Sequence, residues 1–483
     1  MNDSPNRLFV LFFILLIEAF STFAVPANGI IIPPDSLEES NIRIAEIIIV
    51  GNERTKDFII HRELLFRVGS VLQEQELSLL VEKSKINLSN TSLFNFVSIT
   101  PVYLTENKIS IQIVVEERWY FWPDVYFDHA DRNLSSWLYN KDWSRVFYGL
   151  GFTKLNFRGR NERLRVSVVA GYFQRVVLGY NNLVLDSHRK HLINIYAESF
   201  RQHGLSYNTY NNKEIGLRYD ESFIFQRNKV EISYDYRQKV NISHRIGLSG
   251  NQTFVHDSIL KLNINYTKST QNNYLFFQLY YRLTYENRDN KTYPLKGNYV
   301  DFNAIFTNFG AISGNSNSQF FSIYYSQFAK PANRLYFGGN TQAFYTFGPK
   351  APDYFTTGLG YRAFLRGFDY YIIPSKDYIM LKTNLKYELI TPKIGIISFI
   401  KSPKFSKIHY AAYINLIADA GYASFPNSDI PQITLNTLAN KPIFSYGLGF
   451  DLVTYYDKVL RFEYVINSKN EAGFFFHFEA GIR

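Results

Sequence analysis

Few residues in this sequence have the types and spacing that catalysis or metal binding would need. His188 and His191 are three residues apart, which places their rings on opposite faces of a strand. Residues 247–250, GLSG, are one residue short of the G-x-S-x-G nucleophile motif. The sequence contains no phosphate-binding loop and no H-E-x-x-H helix. We therefore expect no catalytic residues, metal ion or cofactor, and predict that the protein is not an enzyme.

The composition restricts the protein class further. The 483 residues include 43 Phe, 37 Tyr and no Cys, and no run of 18 apolar residues occurs after residue 30. Helical membrane proteins, disulfide scaffolds, iron–sulfur proteins and N-terminal lipoproteins are thereby excluded. The formal charge of +10 is spread along the chain. This spread gives nucleic-acid binding little support and favours contact with anionic lipid headgroups or lipopolysaccharide.

The N-terminus has the pattern of a secretory signal peptide. Residues 8–17, LFVLFFILLI, form an apolar core behind Arg7, and cleavage after Ala24 or Ala27 fits the small residues that follow. We assign residues 1–27 to this segment and predict an exported protein. An interfacial anchor helix is the alternative.

The pattern of residues 42–117 predicts a small α/β domain. A β-branched run ends at the turn dipeptide Gly51-Asn52, and helical spacing follows over residues 55–66 and again from about 74 to 88. Strands are predicted from Phe94 and over residues 108–117. The element order is therefore strand–helix–helix–strand–strand.

This segment resembles a polypeptide-transport-associated (POTRA) domain. The resemblance rests on IIIVGNERT at 47–55, HREL at 61–64, Gly69, NTSLFNFV at 90–97 and VVEER at 114–118. It implies that an exposed edge strand of the domain binds an extended client chain by strand addition. A folded spacer without client contact is the alternative.

From residue 118 to 483 the pattern changes to segments of about ten residues that alternate apolar and polar side chains. Leu385, Tyr387 and Leu389, for example, fall on the face opposite Glu388. Such alternation, with many aromatic residues, predicts a mainly β fold in which a transmembrane antiparallel β-barrel follows the α/β domain. A soluble β-sandwich is the alternative.

Counting these segments gives about 17 candidate strands, whereas the length of the region favours about 16. An even number is typical of bacterial barrels, so we predict a 16-stranded barrel. Residues 260–267 are the candidate that we expect to have been misassigned.

Several motifs in this region resemble the BamA/TamA outer-membrane assembly superfamily, with its bacterial surface antigen-type barrel. The most specific is LRGF at 365–368, which is similar to the family's [V/L]-R-G-[F/Y] loop motif. The others are RDN at 288–290 with Pro294 and Gly297, YELITP at 387–392, IADAGYA at 417–423, SYGLGFDL at 445–452 and LRFEYVI at 460–466. The resemblance covers nearly all of residues 42–483.

The resemblance implies a site at which the loop arginine docks inside the barrel lumen. Strand alternation turns Glu388 and Asp419 toward the lumen, and both match positions that the family uses to hold the loop. We predict a pair between Arg366 and Asp419, supported by Glu388, with Gly367 and Phe368 completing the docked loop. The alternative is that Arg366 is an ordinary solvated loop residue.

The end of the chain departs from the family pattern, because it reads GIR instead of ending on an aromatic residue. We therefore expect a weak seam between the first and last strands of the barrel. Six residues are assigned to this seam: Gly447, Gly449, Gly473, Phe474, Phe476 and Phe478. The glycines would ease bending of the strands, or alternatively they only accommodate barrel curvature.

Together the resemblances imply a protein that assists insertion or translocation of client polypeptides by strand addition. It would lie in the bacterial outer membrane with the POTRA domain in the periplasm. Its expected partners are membrane lipid and lipopolysaccharide, unfolded client polypeptides and accessory periplasmic or lipoprotein subunits, but no nucleic acid. A two-partner-secretion-like exporter and a non-catalytic structural barrel are the alternatives.

Overall fold

The computed structural model describes residues 41–129, 143–186, 190–268, 271–307, 318–347, 352–355, 357–361, 363–398, 400, 406–425, 436–454 and 458–480. The predicted signal peptide, His188 and the last three residues lie outside the described residues.

The N-terminal domain packs two helices against one face of a four-stranded sheet. Its elements are β1 (Ile42–Val50), α1 (Asp57–Glu63), β2 (Val71–Leu72), α2 (Glu74–Ser89), β3 (Phe94–Thr105) and β4 (Lys108–Glu117). The sheet order is β2-β1-β4-β3, with β1 parallel to β4 and the other pairs antiparallel. Ile44, Ile59 and Ile111 are fully buried in the core. The domain follows the predicted element order, with the two-residue β2 in addition.

Most of the remaining described chain forms a sixteen-stranded antiparallel sheet. Its strands are β5 (Phe121–His129), β6 (Val146–Phe157), β7 (Glu162–Gly171), β8 (Phe173–Val184), β9 (His191–Gln202), β12 (Phe225–Lys239), β13 (Ile242–Val255), β14 (Asn273–Glu286), β15 (Gly297–Thr307), β16 (Ser318–Ala332), β17 (Leu335–Phe347), β20 (Asp377–Ile396), β21 (Lys407–Ser424), β22 (Pro442–Thr454), β23 (Lys458–Asn467) and β24 (Ala472–Ala480). Two small hairpins lie in the connections: β10 (Gly204–Tyr210) with β11 (Lys213–Arg218), and β18 (Thr357–Leu359) with β19 (Ile373–Ser375). The predicted count of 16 strands is confirmed.

Residues 260–267, the seventeenth candidate, do not form a strand. The helix α3 (Asp257–Leu262) covers the first part of this segment, and the His256 ring caps it by accepting the Ser258 backbone N–H at 3.2 Å. The segment reads LKLNINYT and alternates apolar with polar side chains, so the period-2 pattern that predicts barrel strands also made it a strand candidate. No helix of the described residues is long and apolar enough to cross a membrane.

The sheet alternates outward-facing apolar residues with inward-facing polar ones, as predicted. On β20, Tyr387 is 47% exposed and Leu389 is 42% exposed, whereas Lys386 and Glu388 are buried. A residue that faces the interior of a strongly curved sheet is shielded by neighbouring strands and by the loops that fold inside. The alternation therefore separates an apolar outer surface from a polar lumen.

Contacts across the interior show how strongly the sheet curves. Tyr293, in the turn between β14 and β15, donates a hydrogen bond to Asp451 of β22 at 2.8 Å. Five strand spacings separate β15 from β22 in the sheet order, which is roughly 24 Å in a flat sheet. The sheet must therefore curl around its interior into a barrel.

The sheet has two edge strands, β5 and β24. Among the described residues, β5 pairs with β6 alone and β24 pairs with β23 alone, and no ladder joins the two edges. The first and last strands of the barrel therefore have no described backbone hydrogen bond between them.

Candidate functional site

The connection between β17 and β20 carries Arg366 into the interior of the barrel, where its side chain is only 8% exposed. Arg366 Nε donates to Asp419 Oδ2 at 2.8 Å, and Nη2 donates to the Thr383 carbonyl at 3.0 Å. Nη1 donates to Asn384 Oδ1 at 2.7 Å. A buried guanidinium is stable only when its charge and its N–H donors are satisfied. These contacts therefore fix the connection to the inner face of β20 and β21.

The second carboxylate beside Arg366 is Glu463 of β23, with 3.3 Å between Arg366 Nη1 and Glu463 Oε1. Glu388 does not reach the arginine. It lies six residues along β20 from Lys382, the residue opposite Asp419 in the ladder, a separation of about 20 Å. Alternation placed Glu388 on the correct face, but it does not specify the height along the strand. The predicted support from Glu388 is therefore supplied by Glu463 instead.

Gly367 and Phe368 both pack where the connection touches the barrel wall. Gly367 has φ +80°, and a Cβ on it would come within 3.0 Å of Val465 Cγ1. Its carbonyl accepts a hydrogen bond from Asn467 Nδ2 at 2.8 Å. Phe368 is buried in an apolar cluster that includes Leu365. Glycine at 367 thus meets both a backbone and a packing requirement.

The same connection contacts the inner face of the last strand and the turn before it. Tyr371 donates from its hydroxyl to Glu471 Oε1 at 2.7 Å, just before β24 begins. The rings of Tyr370 and Phe475 are 6.2 Å apart, and the ring of His477 is stacked beside Phe364 at 6.5 Å. The loop therefore supports one side of the edge strand β24.

Glu463 and His477 were missed by sequence reasoning, although a signal for Glu463 was present. In β23 the apolar residues Leu460, Phe462 and Tyr464 alternate with Arg461 and Glu463, which predicts an inward-facing charged pair. His477 Nε2 lies 3.5 Å from Glu463 Oε2. No sequence pattern indicated that contact, because it depends on the register between β23 and β24.

The residues assigned to the seam fall in two groups. Phe474 is 68% exposed and Phe476 is 55% exposed on the outer face of β24, whereas the Phe478 side chain lies outside the described part. Gly473 is also on β24, close to the Phe475 ring.

Gly447 and Gly449, by contrast, lie on β22, two strands away from the edge. A Cβ at Gly447 would come within 2.2 Å of the Tyr464 carbonyl oxygen in the neighbouring strand. This close approach of two backbones explains the glycine at 447 by sheet packing. The two glycines of β22 are therefore not part of the seam, since alternation carries no information about which strand is an edge.

A second polar cluster occupies the lumen closer to the N-terminal domain. Tyr293 is buried there, and the Lys386 ammonium lies 3.7 Å from its ring centroid. Asp451 accepts from the Tyr293 hydroxyl at 2.8 Å and from Arg461 Nε at 3.0 Å. Because Arg461 precedes Glu463 by two residues on the same face of β23, this cluster is adjacent to the cluster around Arg366.

Comparison with known proteins supports the interpretation of both domains. The family model described as POTRA, surface antigen variable number repeat, matches residues 42–118. The N-terminal domain is a POTRA domain. No curated protein matches the chain.

The structure is similar to CdiB from Escherichia coli, with a TM-score of 0.51 and 12% identity, over 91% of this chain and 76% of that one. BamA from Haemophilus ducreyi lacking POTRA domains 1–3 aligns with a TM-score of 0.48 and 16% identity, over 90% of this chain and 83% of that one. The likeness to CdiB shows the fold. The predicted architecture, a POTRA domain followed by a 16-stranded barrel, is confirmed.

The POTRA domain docks on the barrel through polar contacts. Glu63 of α1 accepts two hydrogen bonds from Arg237 of β12, both at 2.7 Å, and lies 2.6 Å from Arg62. Burial acts to raise the pKa of Glu63, but the charges of Arg62 and Arg237 outweigh it and lower that pKa to about 2. Lys407 Nζ contacts Glu116 Oε2 at 2.9 Å on another side of the domain. The domain is thus held at more than one point of the barrel rim.

Proposed function

We propose that this protein assists the insertion or translocation of client polypeptides at the bacterial outer membrane, by strand addition and without covalent chemistry. The observation that carries the proposal is the open edge of β24. Its outer backbone groups have no described strand partner, and lipid cannot hydrogen-bond to such groups. An incoming client strand can pair with them, as can β5.

The loop that contains Arg366 would support the edge strand β24 in this proposal. It is fixed to β20 and β21 by Arg366 and touches β24 through Tyr370 and Phe364. These contacts would hold the edge strand in an extended conformation while its outer backbone groups are unpaired. The predicted role of the arginine is therefore to keep β24 available for pairing.

The POTRA domain offers a second edge, at β3. This strand pairs with β4 alone among the described strands, and its Val102, Tyr103 and Leu104 are exposed. An exposed apolar edge strand is a template for another extended chain. We propose that β3 receives the client before β24 does.

The outer surface of the barrel supports a proposal for the location of the protein and for its partners. The outer face of β22 exposes Phe444, Tyr446 and Leu448, which suits contact with acyl chains. We propose that the barrel lies in the outer membrane in contact with lipid and lipopolysaccharide, with the POTRA domain in the periplasm. Unfolded polypeptides are its clients, and accessory periplasmic or lipoprotein subunits complete the system.

Assembly of an unfolded outer-membrane barrel into liposomes, scored by protease resistance, tests the proposal. We expect the protein to accelerate assembly, and Arg366→Ala to abolish the acceleration. The matched control is Arg282→Ala, which breaks another lumenal pair, with Asp301 between β14 and β15, far from β24. Equal activity of all three proteins would contradict the role given to the loop.

An exporter that passes clients through the lumen is the second candidate, favoured by the polar interior. Because the natural chain has no cysteine, single cysteines at Phe476 on the outer edge and at Asn251 on the lumenal face of β13 can carry a thiol-reactive crosslinker. Crosslinks of a client to position 476 support insertion at the seam. Crosslinks to position 251 support export through the lumen.

A further inference from the structure

A large cavity lies between the two POTRA helices and the barrel rim; we refer to it as the mouth cavity. Its volume is about 1230 Å³, and its walls include Glu63 and Lys83 from the helices, Arg237 from β12, and Lys291 and Lys296 from the turn between β14 and β15. Pockets for small molecules usually measure about 300–1,000 Å³. The mouth cavity is therefore large enough for a stretch of polypeptide.

The charge of this cavity is unbalanced. Seven of its lining side chains are cationic and four are anionic. Each anion already has a partner: Glu63 binds Arg62 and Arg237, Asp235 binds Arg245, Glu286 binds Arg288, and Asp289 accepts backbone N–H groups. Within the part of the chain that the structure describes, Lys83, Lys291 and Lys296 have no carboxylate within 4.0 Å. Three ammonium groups thus line the cavity without an ion pair, although Glu286 and Glu63 lie near enough to Lys291, and Asp289 to Lys296, for a weaker electrostatic attraction.

The position of Arg237 shows that the cavity belongs to the lumen and not to the lipid-facing surface. On β12, Ile232 and Tyr234 are exposed on the outer face, whereas Ser233 and Asp235 are buried on the inner one. Arg237 continues the inner row, so its partner Glu63 reaches into the barrel opening. The sheet separates this site from acyl chains, which favours a polypeptide over a lipid as the ligand.

We propose that the mouth cavity binds an acidic, extended segment of the client polypeptide, and that Glu63 occupies the arginine site until such a segment arrives. This inference rests on the proposed function, since it names the class of client. A client carboxylate would take the two hydrogen bonds of Arg237. Glu63 would keep its 2.6 Å contact with Arg62, so the exchange leaves no buried carboxylate without a partner.

Direct binding to the full chain in nanodiscs tests the proposal. The probe is a fluorescent twelve-residue peptide of alternating Glu and Ser, compared with the same peptide carrying Gln or Lys in place of Glu. We expect the acidic peptide to bind at least about tenfold more tightly than either, with an affinity that falls as salt is raised. Equal affinities for the three peptides overturn the inference.

Two sets of variants locate the site. Lys291→Gln with Lys296→Gln should weaken binding of the acidic peptide about five- to tenfold. The control Lys213→Gln with Lys261→Gln removes the same two charges from exposed positions beyond the opposite ends of the strands, and should leave binding unchanged. A loss of affinity that is equal in the control would show attraction to net charge alone and would overturn the site.

Glu63→Gln tests the competition and should tighten binding of the acidic peptide about tenfold. The matched control is Glu116→Gln, which removes the other interdomain ion pair, with Lys407, but lies outside the mouth cavity. Tightening by Glu63→Gln alone supports displacement of Glu63. Equal tightening by both variants would mean that loosening the domain is sufficient, which overturns the assigned role of Glu63.

The failures of the two proposals are distinguishable. Stronger competition by lipopolysaccharide than by unlabelled acidic peptide would assign the cavity to a lipid headgroup and overturn the inference. Acceleration of barrel assembly without any peptide binding would leave the proposed function intact and contradict the acidic-segment site. Specific peptide binding without assembly activity in any client would sustain the site and contradict insertion.

Discussion

Arg366 and Asp419 are 53 positions apart in the chain, yet Arg366 Nε lies 2.8 Å from Asp419 Oδ2 in the interior of the barrel. The Asp419 side chain is completely buried, and the arginine is nearly so. Each group stabilises the other there, because an unpaired charge in a shielded interior is strongly disfavoured. The pair therefore ties the long connection after β17 to the barrel wall.

Arg366→Ala should destabilise the folded barrel by about 3–5 kcal/mol, because it leaves the buried carboxylate of Asp419 without the guanidinium that donates to it. Asp419→Asn should cost less, since Glu463 still faces the arginine. The measurement is the temperature at which the barrel loses its compact mobility on a detergent gel.

Arg282→Ala serves as the control for this stability series as well. Its partner Asp301 also accepts hydrogen bonds from Tyr299 and Asn303, so the carboxylate keeps donors after the substitution. A loss of stability in Arg282→Ala as large as in Arg366→Ala would contradict a special structural role for the loop arginine.

Gly367→Ala should destabilise the docked loop by about 1–2 kcal/mol from its left-handed backbone alone, with a further cost from the 3.0 Å approach to Val465. Gly179→Ala is the comparison, because a Cβ there would have no neighbour closer than 3.9 Å. We expect Gly179→Ala to be neutral or slightly stabilising. Protease cleavage within the loop measures the difference, and similar cleavage of both variants would contradict the packing argument.

Tyr293→Phe should cost about 1 kcal/mol, because it removes one hydrogen bond from a buried carboxylate that retains Arg461. Chemical unfolding in detergent measures the change. Tyr285→Phe, on the outward-facing row of β14, is the matched control and should have little effect. If both substitutions changed the free energy of unfolding equally, the Tyr293–Asp451 hydrogen bond would make no measurable contribution to stability.

Acidification should weaken the docking of the POTRA domain. Arg62 on the same helix and Arg237 on the barrel together lower the pKa of Glu63 from 4.5 to about 2, so the part due to Arg237 stabilises the docked state at pH values above about 4.5. This contribution is lost progressively as the pH falls from about 4.5 to about 2. Energy transfer between dyes on the two domains measures docking over this range.

Glu63→Gln is the control for the pH series. It cannot ionise, so its docking should be weaker at neutral pH and should change less between pH 5 and pH 3 than that of the natural chain. Identical pH profiles for the two proteins would show that another group is responsible for the dependence.

The sequence was sufficient to predict much of the architecture, because the patterns that predict strands and helices depend on residues close together in the chain. The period-2 alternation depends only on neighbouring residues, so it predicted the outward position of Tyr387 and the inward position of Asp419. Turn residues and helical spacing likewise predicted the order of elements in the POTRA domain. Residues 260–267, LKLNINYT, became a strand candidate because they alternate as a strand does, yet the chain forms a helix over Asp257–Leu262 at the start of this segment.

Relations between distant segments required the tertiary structure. The sequence by itself determined which face of each strand is polar, and therefore which carboxylates could meet Arg366. Only the register and curvature of the sheet decided that Glu463 is the second carboxylate and Glu388 is not, since a strand's height depends on its pairing with every strand before it. The docking of Glu63 on Arg237 has the same origin, because residues 174 positions apart meet only after the barrel has curled and the POTRA domain has folded against its rim.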